Sequence, residues 1–216
     1  MTGSSEIVPT VPPVPPALFA AEQLQLPWED RAPAQDLALS FELRPGLSFV
    51  CGGEGRGKTR LLRLIAGEIE AAGGRARRGA AAAVCFERPA DAAHDALRSS
   101  EWLAHRQAGF AASWQASRAT ALVEAFGLAE HMAKPMYMLS TGSRRKLGLV
   151  AAAASGAALT LLDQPYAALD ARSARLLSEL LVEAAADPRR AWVLADYALP
   201  TALAGLRLAA RIELGD

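Results

Sequence analysis

The sequence predicts an α/β fold: a mostly parallel sheet covered by helices, with a small inserted helical subdomain and an antiparallel strand region near the N-terminus. Three observations lead there. Short apolar runs alternate with helical patterns over most of the 216 residues. Those runs are apolar throughout rather than at every second residue, the pattern of strands buried on both faces. A glycine-rich stretch also lies between one such run and a helix, where a phosphate-binding turn belongs.

The elements follow in order. Residues 1–17 hold five prolines and no core-forming period. Proline removes backbone donors and blocks helix, so a disordered tail is expected there, and a single domain over 18–216. From Leu39 the chain alternates, turns at Pro45-Gly46, and runs apolar from Leu47 to Cys51, which reads as strand, turn and buried strand. Leu61 to Ala66 has helical spacing, and residues 81–86 read as another buried strand. Residues 91–135 carry helical patterns and no strand, so an inserted helical subdomain is placed at about 90–156. A polar loop is expected at 139–143, a helix at 144–156, a strand at 158–163 and a helix at 171–186. A strand at 191–195 and a strand-like piece at 207–214 close the chain.

Composition narrows the function classes. Half of the residues are apolar, many of them alanine, which favours helix. Lys and Arg number 23 and Asp and Glu number 23, so no excess of charge argues for nucleic acid as a partner. Cys51 and Cys85 each sit in an apolar run and read as reduced core residues, which suits the cytoplasm. The longest uncharged run, Leu147 to Leu162, has 16 residues, fewer than the roughly 20 that span a bilayer. The first basic residue is Arg31, so no export signal is expected. His94, His105 and His131 show no metal-ligand spacing, and Trp102 and Trp114 read as packing residues of the helical insert.

The chemistry lies in two motifs. Gly52-Gly53-Glu54-Gly55-Arg56-Gly57-Lys58-Thr59 matches the phosphate-loop pattern G-x(4)-G-K-[ST], after a strand and before a helix, and makes the fold that of a P-loop NTPase. Glycines let successive N–H groups face one anion, and the helix points its positive end at the same place. Lys58 can neutralise the β- and γ-phosphates of ATP, the Thr59 hydroxyl can ligate Mg²⁺, and Arg60 is counted with the loop. The second motif is Leu159-Thr160-Leu161-Leu162-Asp163, an apolar strand ending in a carboxylate placed to reach the Mg²⁺ shell.

With Leu139-Ser140-Thr141-Gly142-Ser143 between these motifs and Gln164-Pro165 to Asp170 after them, the chain resembles the ATP-binding-cassette (ABC) ATPases from about residue 20 to its end. The family's signature loop is usually LSGGQ; Ser140 and Gly142 match it, Thr141 and Ser143 depart. The resemblance implies two ATPs held between two such domains, each between one phosphate loop and the other subunit's signature. Ser140 and Gly142 would touch the partner's γ-phosphate, and Asp170 would couple the two sites. The triplet Arg144-Arg145-Lys146 would open a helix aimed across that interface, the alternative being a solvated charged face. Trp28 is the candidate for stacking on adenine, against a plain packing role. The implied partners are a second ABC-type subunit, as homo- or heterodimer, and a polytopic membrane permease that keeps the protein at the inner face of a membrane.

Three positions depart from an active member of that family. Gln164 stands where a glutamate acts as base; an amide can orient water but cannot take its proton. Asp196 and Tyr197 stand where a switch histidine is expected, and a carboxylate at Asp196 would repel a γ-phosphate. Glu87 or Arg88 replaces a glutamine. Three departures together point to natural divergence at Gln164 rather than one engineered change. Gln164 and Asp196 are therefore the two catalytic positions, with slow hydrolysis expected from a transporter subunit. The rival expectation is a regulatory or assembly subunit gated by ATP with negligible hydrolysis.

Overall fold

A computed structural model describes residues 15–27, 38–79 and 82–215. The expected tail lies, but for residues 15–17, outside the described residues, and so does Trp28. Among the described residues, five parallel strands form the main sheet in the order β5 (Val84–Phe86), β6 (Leu159–Asp163), β7 (Ala191–Asp196), β3 (Gly46–Cys51), β8 (Ala210–Glu213). All six residues of β3 are buried. Strand β3 lies between β7 and β8, which explains why it carries no polar alternation.

The two faces of this sheet pack against different partners. Leu47, Phe49, Trp192 and Leu194 belong to one core with α4 (Thr141–Ala154) and α5 (Ala171–Ala185). Val50, Val193, Leu159 and Leu161 belong to a second core with α1 (Lys58–Ala66) and the smaller sheet. Each large apolar side chain so buried contributes about 1.5–3 kcal/mol. The expected mostly parallel, helix-covered sheet is present.

The smaller sheet is antiparallel, in the order β2 (Leu39–Leu43), β1 (Phe19–Gln25), β4 (Gly73–Arg78). It realises the expected antiparallel region, though it recruits β4 from after α1. Helices α2 (Ser99–Gly109) and α3 (Ala116–Ala125) lie within the stretch read as helical and pack on α4 through Trp102, Ala119, Leu122 and Leu147. Trp102 is buried in this core, as its packing reading required. Cys51 and Cys85 are buried free thiols.

One boundary is corrected. The loop expected at 139–143 is shorter, because α4 starts at Thr141 and not at residue 144. The Ser140 Oγ accepts the Ser143 N–H at 3.1 Å, capping a helix that the sequence pattern alone began three residues late.

Candidate functional site

The site forms at the carboxyl ends of β3, β6 and β7, where open parallel sheets receive ligands. After Cys51 the chain leaves β3 through Gly52 to Gly57 and enters α1 at Lys58. Gly57, with φ of 95°, lies in the left-handed region that a side chain disfavours, and this turn sets the direction of α1. Residues Glu54 to Arg60, Arg63, Gln164 and Tyr197 line one cleft of about 490 Å³.

Lys58 is 4% exposed. Its ammonium donates to the carbonyls of Gly52 at 2.5 Å and Gly53 at 2.7 Å, and lies 4.1 Å from the centre of the Tyr197 ring. Among the described residues no carboxylate comes within ion-pair distance of it. A buried cation satisfied only by neutral acceptors is electrostatically prepared for an anion.

Thr59 and Asp163 meet 104 residues apart in sequence, the Thr59 hydroxyl donating to Asp163 Oδ2 at 2.5 Å. Asp163 Oδ1 is buried without a hydrogen-bond partner among the described residues. Burial pushes the Asp163 carboxyl above the ordinary carboxylate range, against the Thr59 hydrogen bond and the charges of Lys58 and Arg145, while Asp196 adds to the rise. A hard divalent cation bound through one or two protein oxygens fits this pair, since Mg²⁺ keeps most of its waters.

The neighbouring strand ends differ. Gln164 has a positive φ of 44° and its N–H donates to the Ala195 carbonyl at 2.8 Å, tying β6 to β7 beyond the last ladder pair. Asp196 Oδ1 accepts the Tyr197 N–H at 2.8 Å within its own turn. Glu87 is taken up by Arg106 of α2 at 2.7 Å with its side chain buried, and Arg88 pairs with Glu68 at 2.8 Å. Arg60 donates to the carbonyl of Pro27, the residue before Trp28.

Ser140, Gly142 and Asp170 form a second group, exposed or half-buried. A Cβ on Gly142 would lie 2.5 Å from the Ala168 carbonyl oxygen, so the signature loop rests against the segment leading to Asp170. Asp170 caps α5 through the Ser173 N–H at 2.8 Å and pairs with Lys146 at 2.6 Å. The Lys146 hydrogen bond, with that of the Ser173 N–H, holds the Asp170 carboxyl well below the usual range. The reading of the triplet as a solvated charged face fails: Arg144 pairs with Asp95 at 2.7 Å, and Arg145 reaches the main chain of Asp163 and Gln164.

Sequence reasoning missed the ring of Tyr197 over Lys58 and the inward course of Arg145. The second had a signal. Positions 145, 148, 149 and 152 share one helical stripe, and the last three are buried, so a cation at 145 must find acceptors inside.

A phosphate loop facing a strand-end carboxylate across a parallel sheet defines a P-loop nucleotide-binding fold. The ABC transporter family model matches residues 37–167, more than half of the chain, and the chain belongs to that family. It is similar to the cytochrome c biogenesis ATP-binding export protein CcmA of Cereibacter sphaeroides, 34% identical over 66% of this chain and 66% of that protein, a little under two thirds of the relative's length. The CcmA of Rhodospirillum rubrum is 35% identical over 78% of this chain and 76% of that protein. The taurine import ATP-binding protein TauB of Pseudomonas entomophila is 29% identical over 77% and 68%. In fold the chain matches an ATP-binding subunit of an ABC transporter, with a TM-score of 0.71 at 20% identity, covering 90% of this chain and 88% of the other. Among the described residues no helix is long and apolar enough to cross a membrane.

Proposed function

We propose that the chain is an ATP-binding subunit that holds Mg-ATP, closes on a second ABC-type subunit, and drives a polytopic membrane permease with slow hydrolysis. Family membership supports the class. The observation that carries the nucleotide reading is buried Lys58, turned onto loop carbonyls with no carboxylate partner among the described residues, at the head of a helix.

The loop N–H groups of Gly53 to Thr59 would cradle the phosphates while Lys58 exchanges its carbonyl partners for phosphate oxygens. Thr59 and Asp163 would hold Mg²⁺, which offsets phosphate charge when bound. Gln164 lines the same cleft and would orient the attacking water without accepting its proton, so turnover is slow. Asp196 would repel rather than assist a γ-phosphate. Ser140 and Gly142 would meet the partner subunit's nucleotide, with the helices of about 90–156 as the moving subdomain and Asp170 linking the two sites. On this reading the protein works in the cytoplasm, held at the inner face of a membrane through its permease.

A second reading, an ATP-gated regulatory or assembly subunit with negligible hydrolysis, is favoured by one observation: Gln164, Asp196 and Tyr197 replace the groups that would move or balance a proton. Light scattering with and without Mg-ATP, on the unaltered chain and on Ser140→Arg, tests the common part. Nucleotide-dependent association that the substitution abolishes is expected. A monomer at every ATP concentration would reject self-association and leave only a different ABC-type subunit as partner.

A further inference from the structure

We infer that Arg145 is a positioning residue for hydrolysis: it holds the Gln164 peptide from the signature helix, so that a shift of that helix moves the side chain that orients water. The inference rests on the reading of Gln164 as that water-orienting residue.

Three features carry it. Arg145 Nη1 donates to the carbonyl of Asp163 at 3.3 Å and to that of Gln164, so the side chain of a helix of the inserted region is bound to the main chain at the end of β6. The Gln164 peptide is thereby gripped on both sides, its N–H by Ala195 at the end of β7 and its carbonyl by Arg145. That residue also holds a positive φ of 44°, a conformation that a non-glycine residue keeps only where its surroundings enforce it.

The setting excludes a plain surface role. Arg145 is half-buried and its Nε has no hydrogen-bond partner among the described residues. It lines a cleft of about 360 Å³ with Thr141, Gly148, Asp163 and Pro165. Ser140 and Arg145 lie within one and a half turns of the same helix, one exposed at its tip and the other turned to the strand end. Neighbouring Arg144 and Lys146 bind Asp95 and Asp170, so α4 is fixed to its chain at three separate points, and Arg145 alone of the three touches the hydrolysis side. A contact made at Ser140 therefore reaches Gln164 through about one and a half turns of helix and the Arg145 hydrogen bond to the Gln164 carbonyl.

The test uses the full chain with Arg145→Met, which keeps the stem and removes the donors, and Arg145→Lys, which keeps one cationic donor. Both are made in the unaltered and the Gln164→Glu background. Three quantities are read: affinity for a fluorescent ATP analogue, kcat and KM for phosphate release, and melting temperature. Arg145→Met should lower kcat on the order of ten- to a hundredfold, the scale of a small misplacement of a reacting group. Affinity and KM should stay within about twofold, and Arg145→Lys should recover part of kcat. An unchanged kcat in a folded Arg145→Met protein overturns the inference, and so does a kcat that falls only in step with affinity and melting temperature. Failure of the underlying reading looks different: the unaltered chain then binds no Mg-ATP, or both backgrounds bind it and release no phosphate.

Discussion

The loop between β3 and α1 and the strand ends of β6 and β7 face one another across the same cleft, yet they differ in chemistry. The loop offers a buried ammonium, a helix N-terminus and a hydroxyl already touching a carboxylate. The strand ends offer an amide at Gln164, a carboxylate at Asp196 turned into its own backbone, and an aromatic ring at Tyr197. The two halves come from separate elements, so one can keep its residues while the other changes without disturbing the fold. On the proposed reading, nucleotide binding is retained and proton transfer is impaired.

The largest effect expected from breaking this contrast is at Gln164. Gln164→Glu supplies a base and should raise steady-state phosphate release by something like 10²–10⁴-fold. A smaller rise, increased further by adding His at 196 or 197, would show that the γ-phosphate side lacks two groups rather than one. On the loop side, Lys58→Ala removes a charge-assisted contact of about 1.5–3 kcal/mol, which weakens ATP about 10- to 150-fold in an equilibrium titration.

Asp163 links the halves and makes the contrast depend on pH. Its carboxyl is shifted upward by burial, and on the proposed reading its ionised form is the one that would hold Mg²⁺. Mg-ATP affinity should therefore fall as pH drops through this raised value, beginning above the ordinary aspartate value of about 3.9. Asp163→Asn should remove that slope from a pH titration of Mg-ATP affinity. Stability changes in the opposite sense. The unfolded chain gives up this proton more readily than the folded one, so the ionised carboxyl costs folding stability above the unfolded value. That cost is full above the raised folded value, fades as pH falls from there to the unfolded value, and is gone below it. Asp163→Asn should accordingly melt no lower than the parent at pH 7, despite weaker Mg-ATP.

The smallest effects are local to the signature loop. Ser140→Ala removes the α4 cap and should cost about 1 kcal/mol, seen as a melting temperature lower by about 2–4 °C. Gly142→Ala places a methyl against the Ala168 carbonyl and should cost about 1–3 kcal/mol in denaturant unfolding. If Gly142→Ala is silent, the loop and the Asp170 segment are not packed as described.

Much of this was legible where apolar run and chemistry coincide. β3, α1 and the β6 strand carry their periods and their motif residues in register, so the sequence pattern alone brings Lys58, Thr59 and Asp163 together. Strand β4 was not legible: Gly73-Gly74-Arg75-Ala76-Arg77-Arg78 has five exposed positions of six, being the edge of a three-stranded sheet, and an edge strand needs no apolar alternation. The start of α4 was misplaced because Thr141, Gly142 and Ser143 read as loop until the Ser140 cap is seen. Tyr197 depends on a long-range neighbour, the ammonium at 58, which no local pattern announces, whereas the helical stripe turns Arg145 inward without naming the carbonyls at 163 and 164 that receive it.

The central claim, binding without ready proton transfer, is tested most directly on the unaltered chain by measuring Mg-ATP affinity and phosphate release on one preparation. The account predicts saturable Mg-ATP binding with turnover well below about 1 s⁻¹, the lower end of ordinary enzyme turnover. Turnover of 1 s⁻¹ or faster with Gln164 in place, or no saturable binding of Mg-ATP, would contradict it.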